Sequence, residues 1–195
     1  MRTRTTQLPS SNARPLSLEN KIRIKSSKAM LKSTFLKYVS NSFLLVVPAL
    51  VVNLFWASRL PPEWQFDVFW RDIPPALAYG ERISSLIVNI LPVLMPLRIS
   101  TLRQRKGLVV YIVGMLAYFA AWIMMVYFPQ SPWSMSLIGS TATAWTPLVW
   151  LIGIGLIGDS FYFSLPYKPL YYILPSGIFV AFHFSHALLV YMRFH

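Results

Sequence analysis

The stretch Pro169-LYYILPSGIFVAFHFSHALLVY-Met192 decides the fold, because its 24 consecutive residues carry no charge and are closed off by Lys168 and Arg193. Wound into a helix at about 1.5 Å per residue, such a run is long enough to cross a hydrocarbon core of about 30 Å. The rest of the chain has the same character. Of 195 residues, 55% are hydrophobic and only 12% charged, with a mean hydropathy of +0.52. Too few polar side chains exist to coat a water-exposed globule, so the solvent for most of the chain must be lipid. Lipid offers the backbone no hydrogen-bond partners, and helices satisfy them internally.

Working back from that run, similar stretches lie at about 142–163, 107–128 and 38–58. A shorter one between Arg82 and Arg98 has only 15 uncharged residues. At about 1.5 Å per residue it falls short of a bilayer. Either the helix starts near Pro75, spans 75–97 and carries Glu81 and Arg82 with it, or the segment is re-entrant; the first reading gives the more regular alternation. The expectation is therefore an all-α integral membrane protein, a bundle of about five transmembrane helices over residues 35–195.

Charge placement orients that bundle. Residues 1–37 hold nine Lys or Arg against the single acid Glu19. With the N-terminus inside and the C-terminus outside, inner segments carry 14 of the 18 basic residues: the nine of the arm, Arg98, Arg103, Arg105, Lys106 and Lys168. Arg59, Arg71, Arg82 and Arg193 are left outside, as the positive-inside rule requires. Residues 1–34 are rich in Ser, Thr, Pro and basic side chains without an apolar period, and read as a disordered cytoplasmic arm. Met30 is a second candidate start. The arm suits anionic lipid headgroups. Nucleic acid is not expected as a partner, because no aromatics are interleaved with those charges. The location expected is the cell (plasma) membrane; the Arg- and Ser-rich, acid-poor N-terminus keeps an organelle inner membrane as the alternative. The absence of cysteine excludes disulfides, thiol catalysis and Cys-based zinc sites.

Several motifs ask for chemistry. Gly153, Gly155 and Gly158 spell G-x-G-x-x-G, but inside an apolar span and without a preceding strand they suit close helix packing rather than a dinucleotide. Asp159 is the only acid in the last 114 residues, and lies toward the inner end of the fourth helix as a separate candidate proton or cation site. His183 and His186 sit three apart on one face of the last helix. They are weak candidates for a metal or haem iron and stronger ones for hydrogen bonding within the membrane. Counting residues from the turn near Pro166 puts them level with Asn53 on the first helix and with Glu81, Arg82 and Ser85 on the second. An outward-opening polar cavity lined by Asn53, Glu81, Arg82, Ser85, His183 and His186 is the resulting expectation, with Glu81 able to orient a histidine.

The aromatic segment Pro61–Trp70 reads as an anchor at the outer headgroup level. Three functional classes stay open: a multi-pass protein that binds or moves a small molecule through the cavity, a membrane-embedded enzyme or haem or metal protein using the two histidines, and an accessory subunit of a larger membrane complex. No substrate or cofactor is legible.

Overall fold

The computed structural model describes residues 20, 21, 23–27 and 40–194, and the chain divides into two units, Met1–Val39 and Ser40–His195. In the first unit the described residues are helical and exposed; the rest of the arm, Met30 included, lies outside the described residues. In the second, every regular element is helical and no strand forms among the described residues. The principal helices are α1 (Val47–Trp56), α2 (Pro75–Ile90), α3 (Leu102–Tyr127), α4 (Pro147–Ile157) and α5 (Leu170–Phe194). Three are long and apolar enough to cross a membrane: α2 with its terminal 3₁₀ turn (20 residues), α3 (26 residues) and α5 (25 residues).

Helix limits differ from the sequence expectation for identifiable reasons. At the start of the first apolar run, Asn41 accepts from the Phe43 N–H and caps a 3₁₀ turn, Ser42–Leu45, so the α-helix begins only at Val47. The preceding chain is extended: Leu97 N–H donates to the Ser40 carbonyl at 3.0 Å, and Ser42 N–H to that of Met95 at 2.8 Å. Helix α3 starts five residues early, at Leu102, because Thr101 and Gln104 form a capping box. Helix α4 stops at Ile157 rather than near Phe163. Its last carbonyls are taken by α3: Gln104 Nε2 donates to the Ile157 carbonyl at 3.0 Å and an Arg103 guanidinium nitrogen to that of Gly158 at 2.8 Å.

Prolines follow the same logic. Pro48, Pro92 and Pro147 occupy the first turns of their elements, where the missing N–H is no loss, and of the helix prolines only Pro175 lies inside one. Upstream of α4, one-turn helices Leu137–Ser140 and Ala142–Trp145 break at Thr141 and Thr146. Each threonine hydroxyl donates 2.6 Å back to a carbonyl four residues earlier. The helical path is thereby kept through both breaks.

Helices α3 and α4 cross at close range through glycine. A Cβ on Gly153 would lie 2.5 Å from the Tyr111 nitrogen, one on Gly107 would lie 2.8 Å from Leu156, and one on Gly114 would collide with the Trp150 backbone. The G-x-G-x-x-G run is thus a packing surface here: Gly153 meets α3, Gly155 meets Ile173 of α5, and Gly158 meets Tyr167. The core so closed contains Tyr111, Tyr118, Trp150, Leu151, Ile154 and Tyr172. Outward faces remain apolar: Leu54 is 84% exposed, Leu116 63% and Leu174 64%. Exposed apolar surface on this scale marks a face meant for lipid or for another protein.

Gly114→Val is therefore expected to destabilise the bundle by about 1–3 kcal/mol or more, since backbone rather than a flexible side chain must move. Gly177→Ala on α5 places its methyl in open space and should leave the thermal midpoint unchanged or raised. Thermal unfolding of the two variants in the same detergent measures the difference.

Candidate functional site

Glu81 lies in the middle of α2 and is almost fully buried, and α5 presents both of its histidines to it. The three-residue spacing puts His183 and His186 on one helical face, so one carboxylate can reach both. Glu81 Oε1 lies 2.8 Å from His183 Nδ1, and Oε2 lies 2.5 Å from His186 Nδ1. His186 Nε2 lies 2.8 Å from the carbonyl oxygen of Phe69, and its ring is wholly buried.

Proton counting fixes the state of this cluster. A backbone carbonyl only accepts, so His186 Nε2 must carry a proton. If Glu81 is ionised, both Nδ1 atoms donate to it and His186 is an imidazolium. If Glu81 is protonated on Oε2, that oxygen donates to His186 Nδ1 and His186 is neutral. Both arrangements hold the same number of protons and are electrically neutral overall, as burial of an ionisable cluster favours. In both, His183 donates through Nδ1 to Oε1, so its Nε2 carries a lone pair. No described residue bonds that atom.

The connection between α1 and α2 folds over the histidines. Phe69 stacks on His186 with ring centroids 3.8 Å apart, and Trp70 meets it edge-on at 4.6 Å. Asp72 turns the chain with φ of 52°, a left-handed conformation that aspartate tolerates. Arg193 at the end of α5 donates to the carbonyls of Arg71 (2.5 Å) and Asp72 (2.8 Å) and ties that turn down. Part of the expected headgroup anchor consequently points inward: Trp64 is buried, whereas Phe66 and Asp67 are exposed.

Beside the cluster opens a cleft of about 210 Å³, lined by Asn53 and Ala57 of the first apolar segment, Trp64 and Phe69 of the connection, Tyr118 and Trp122 of α3, Thr143, and His183. The Tyr118 hydroxyl donates to Asn53 Oδ1, which leaves the Asn53 amide N–H groups without a described acceptor. Trp122 Nε1–H is buried without a partner among the described residues. His183 stacks on Phe179 with centroids 5.4 Å apart. A cleft below the usual range of about 300–1,000 Å³ has room for a small molecule only.

Of the residues expected in the cavity, the structure brings Glu81, His183 and His186 into direct contact and places Asn53 on the same cleft as His183. Arg82 and Ser85 are elsewhere. Arg82 lies over the Trp70 ring at 4.8 Å, and Ser85 bonds within α2, its carbonyl accepting from Asn89 Nδ2 at 2.8 Å. Asp159 follows the end of α4 and accepts from the Ser160 hydroxyl at 2.9 Å, close to Arg103 and Tyr167. Burial pushes the Tyr167 pKa well up, and its hydroxyl stays a donor to the Gly155 carbonyl at 2.7 Å. Among the described residues no cluster of three or more His, Cys, Asp or Glu is arranged to hold a metal. Neither nitrogen of His186 is free to ligate one. Sequence reasoning missed the Phe69 carbonyl, Tyr118, Trp122 and Thr143, which are aromatic or small polar side chains with no periodic signal of their own.

Comparison of the chain with protein-family models, with curated proteins and with solved structures finds no match.

The hydrogen-bond pattern makes a sharp distinction between two substitutions. In Glu81→Gln, the amide oxygen can accept from His183 and the amide nitrogen can donate to neutral His186, so every bond is kept. Its thermal stability should stay within about 1 kcal/mol of the parent. Glu81→Ala leaves His183 Nδ1–H without its acceptor and strips His186 of its Nδ1 partner, at about 1–3 kcal/mol for each. Equal loss in both variants, measured by thermal unfolding, would refute the proton count.

Proposed function

We propose that the protein is a multi-pass membrane protein that binds a small, largely apolar molecule in the cleft beside the Glu81–His183–His186 cluster. The observation that carries this reading is the open His183 nitrogen on an aromatic-walled cleft, held in orientation by a buried carboxylate that itself faces a second histidine. Clefts of this composition, apolar with a few convergent polar groups, are the usual form of small-molecule sites. A carboxylate that fixes a histidine's tautomer and angle is a common supporting device in such sites.

Five crossings fit the cleft. Helices α2, α3 and α5 are long enough alone. The first crossing would combine α1 with the 3₁₀ turns Ser42–Leu45 and Ala57–Arg59, and the fourth would combine α4 with the two one-turn helices from Leu137 onward. With the N-terminus inside, exposed Arg98, Arg103, Arg105 and Lys106 meet the inner headgroups, where anionic lipids are the natural partner. The cleft then opens toward the outer half, and the plasma membrane is the proposed location.

A second reading, an accessory subunit, draws on a groove of about 500 Å³ lined by Leu137, Ile138, Trp145, Gly177, Ala181 and Phe184, in which small residues of α5 would admit a partner helix. Stable co-purification with another membrane protein, lost on Gly177→Leu, would favour it.

Two measurements test the main reading. Reporter fusions should place the N-terminus inside and the C-terminus outside; both ends on one side would remove a crossing. Ala57→Trp, at an exposed edge of the cleft, should deplete a small molecule that co-purifies in mild detergent with the parent protein and is detected by mass spectrometry of the extract. Identical extracts from parent and variant would count against a cleft ligand.

A further inference from the structure

The hydrogen bonds around Glu81 restrict what the cleft can hold, and this step rests on the cleft being a ligand site. In both neutral proton arrangements His183 offers a lone pair, not an N–H, toward its open side. The one arrangement that would turn His183 around puts the Glu81 proton on Oε1. It leaves His186 protonated on both nitrogens and so holds one proton more than either neutral arrangement. The open position is therefore an acceptor.

The remaining polar groups of the cleft include the Thr143 hydroxyl, which can donate or accept, and the Asn53 amide N–H groups, which are donors without a described acceptor. An acceptor beside donors suits a hydroxyl, which can both donate and accept. The cleft lining contains no Lys, Arg, Asp or Glu, so nothing there compensates a charged ligand. Five rings line it, those of Trp64, Phe66, Phe69, Tyr118 and Trp122, and aromatic walls favour flat, ring-bearing guests.

We propose that the cleft selects a small neutral ring compound carrying a hydroxyl, which donates to His183 Nε2, and that protonation of His183 abolishes the preference for the hydroxyl. The added proton converts the acceptor into a donor and leaves the cluster with one net positive charge. The titratable groups facing His183 are Glu81 from α2 and His186 from its own helix; from α3 comes only Tyr118, engaged with Asn53. From the α1–α2 connection it meets the uncharged Phe69. Nearby charges are turned elsewhere: Arg82 onto Trp70, Asp67 toward Arg71, and Arg193 onto backbone carbonyls.

The test uses a matched pair of probes, 2-naphthol and 2-methoxynaphthalene, titrated calorimetrically against the full chain in detergent. The Ala57→Trp variant supplies the background for partition into micelles. At about pH 8 the naphthol should bind about fivefold to tenfold more tightly than its methyl ether, the advantage of one hydrogen bond. At about pH 5 the two should differ by less than about twofold. His183→Phe preserves a ring against Phe179, and should abolish both the hydroxyl advantage and its pH dependence while the ether still binds. Equal binding of the two probes at about pH 8 overturns the hydroxyl anchor but leaves the cleft as a site, whereas an advantage unchanged at about pH 5 overturns the dependence on His183 protonation. Failure of both probes to bind above background overturns the cleft reading and this inference together. Because the parent protein alone decides these outcomes, a His183→Phe variant that fails to fold does not blunt the test.

Discussion

One buried carboxylate sets the arrangement of the cluster between α2 and α5. Glu81 is nearly enclosed between α2 and α5, where an isolated charge would be prohibitive. It persists there because each of its oxygens shares a hydrogen bond with an imidazole and because the cluster as a whole is neutral. The consequence is geometric as much as electrostatic. The rotation of α5 about its axis is fixed at two points one helical turn apart, and the α1–α2 connection is drawn in because His186 still needs an acceptor for its second N–H, which Phe69 supplies. A polar network with every member satisfied specifies one packing, whereas apolar contact alone would tolerate several.

A different constraint holds the opposite side of the molecule. Helices α3 and α4 approach so closely that three glycines face backbone or Cβ atoms, and their contact has no polar component through most of its length. Such close fit supplies association through dispersion, which does not depend on water as the surrounding medium. Polar bonds reappear only where α4 ends, with Gln104 and Arg103 capping its carbonyls. Rigid glycine packing on one side and a satisfied ionisable network on the other leave the cleft between α1, α3 and α5, where neither device operates.

The long apolar helices were legible in the sequence because uncharged runs of bilayer length have few alternatives. The pairing of Glu81 with His183 and His186 was within reach by counting depth from the turn near Pro166, since helical rise converts residue number into height. Counting gives height but not azimuth, and that is why Arg82 proves to face elsewhere on α2; Ser85, one turn from Glu81, lies on nearly the same face but bonds within its own helix and does not line the cleft. Adjacent residues on a helix point about 100° apart, so Glu81 and Arg82 could not both face α5. The early end of α4 escaped for another reason: the aromatic residues Phe161 to Phe163 suggest continuation past Asp159, while the hydrogen bonds at the helix end come from a segment more than 50 residues away.

The inward fold of Pro61–Trp70 was the least predictable feature, and its cause joins the two halves of the argument. Aromatic residues beside a membrane are equally suited to the headgroup region and to covering a buried polar group, and composition does not separate these. What separates them is an unsatisfied donor within reach. His186 Nε2–H points away from Glu81 and finds its acceptor in the irregular backbone of the α1–α2 connection, at the Phe69 carbonyl. Supplying it brings Phe69 and Trp70 onto the imidazole and Trp64 onto the cleft wall. The wall of the cleft and the polarity of its one open acceptor thus trace to the same carboxylate.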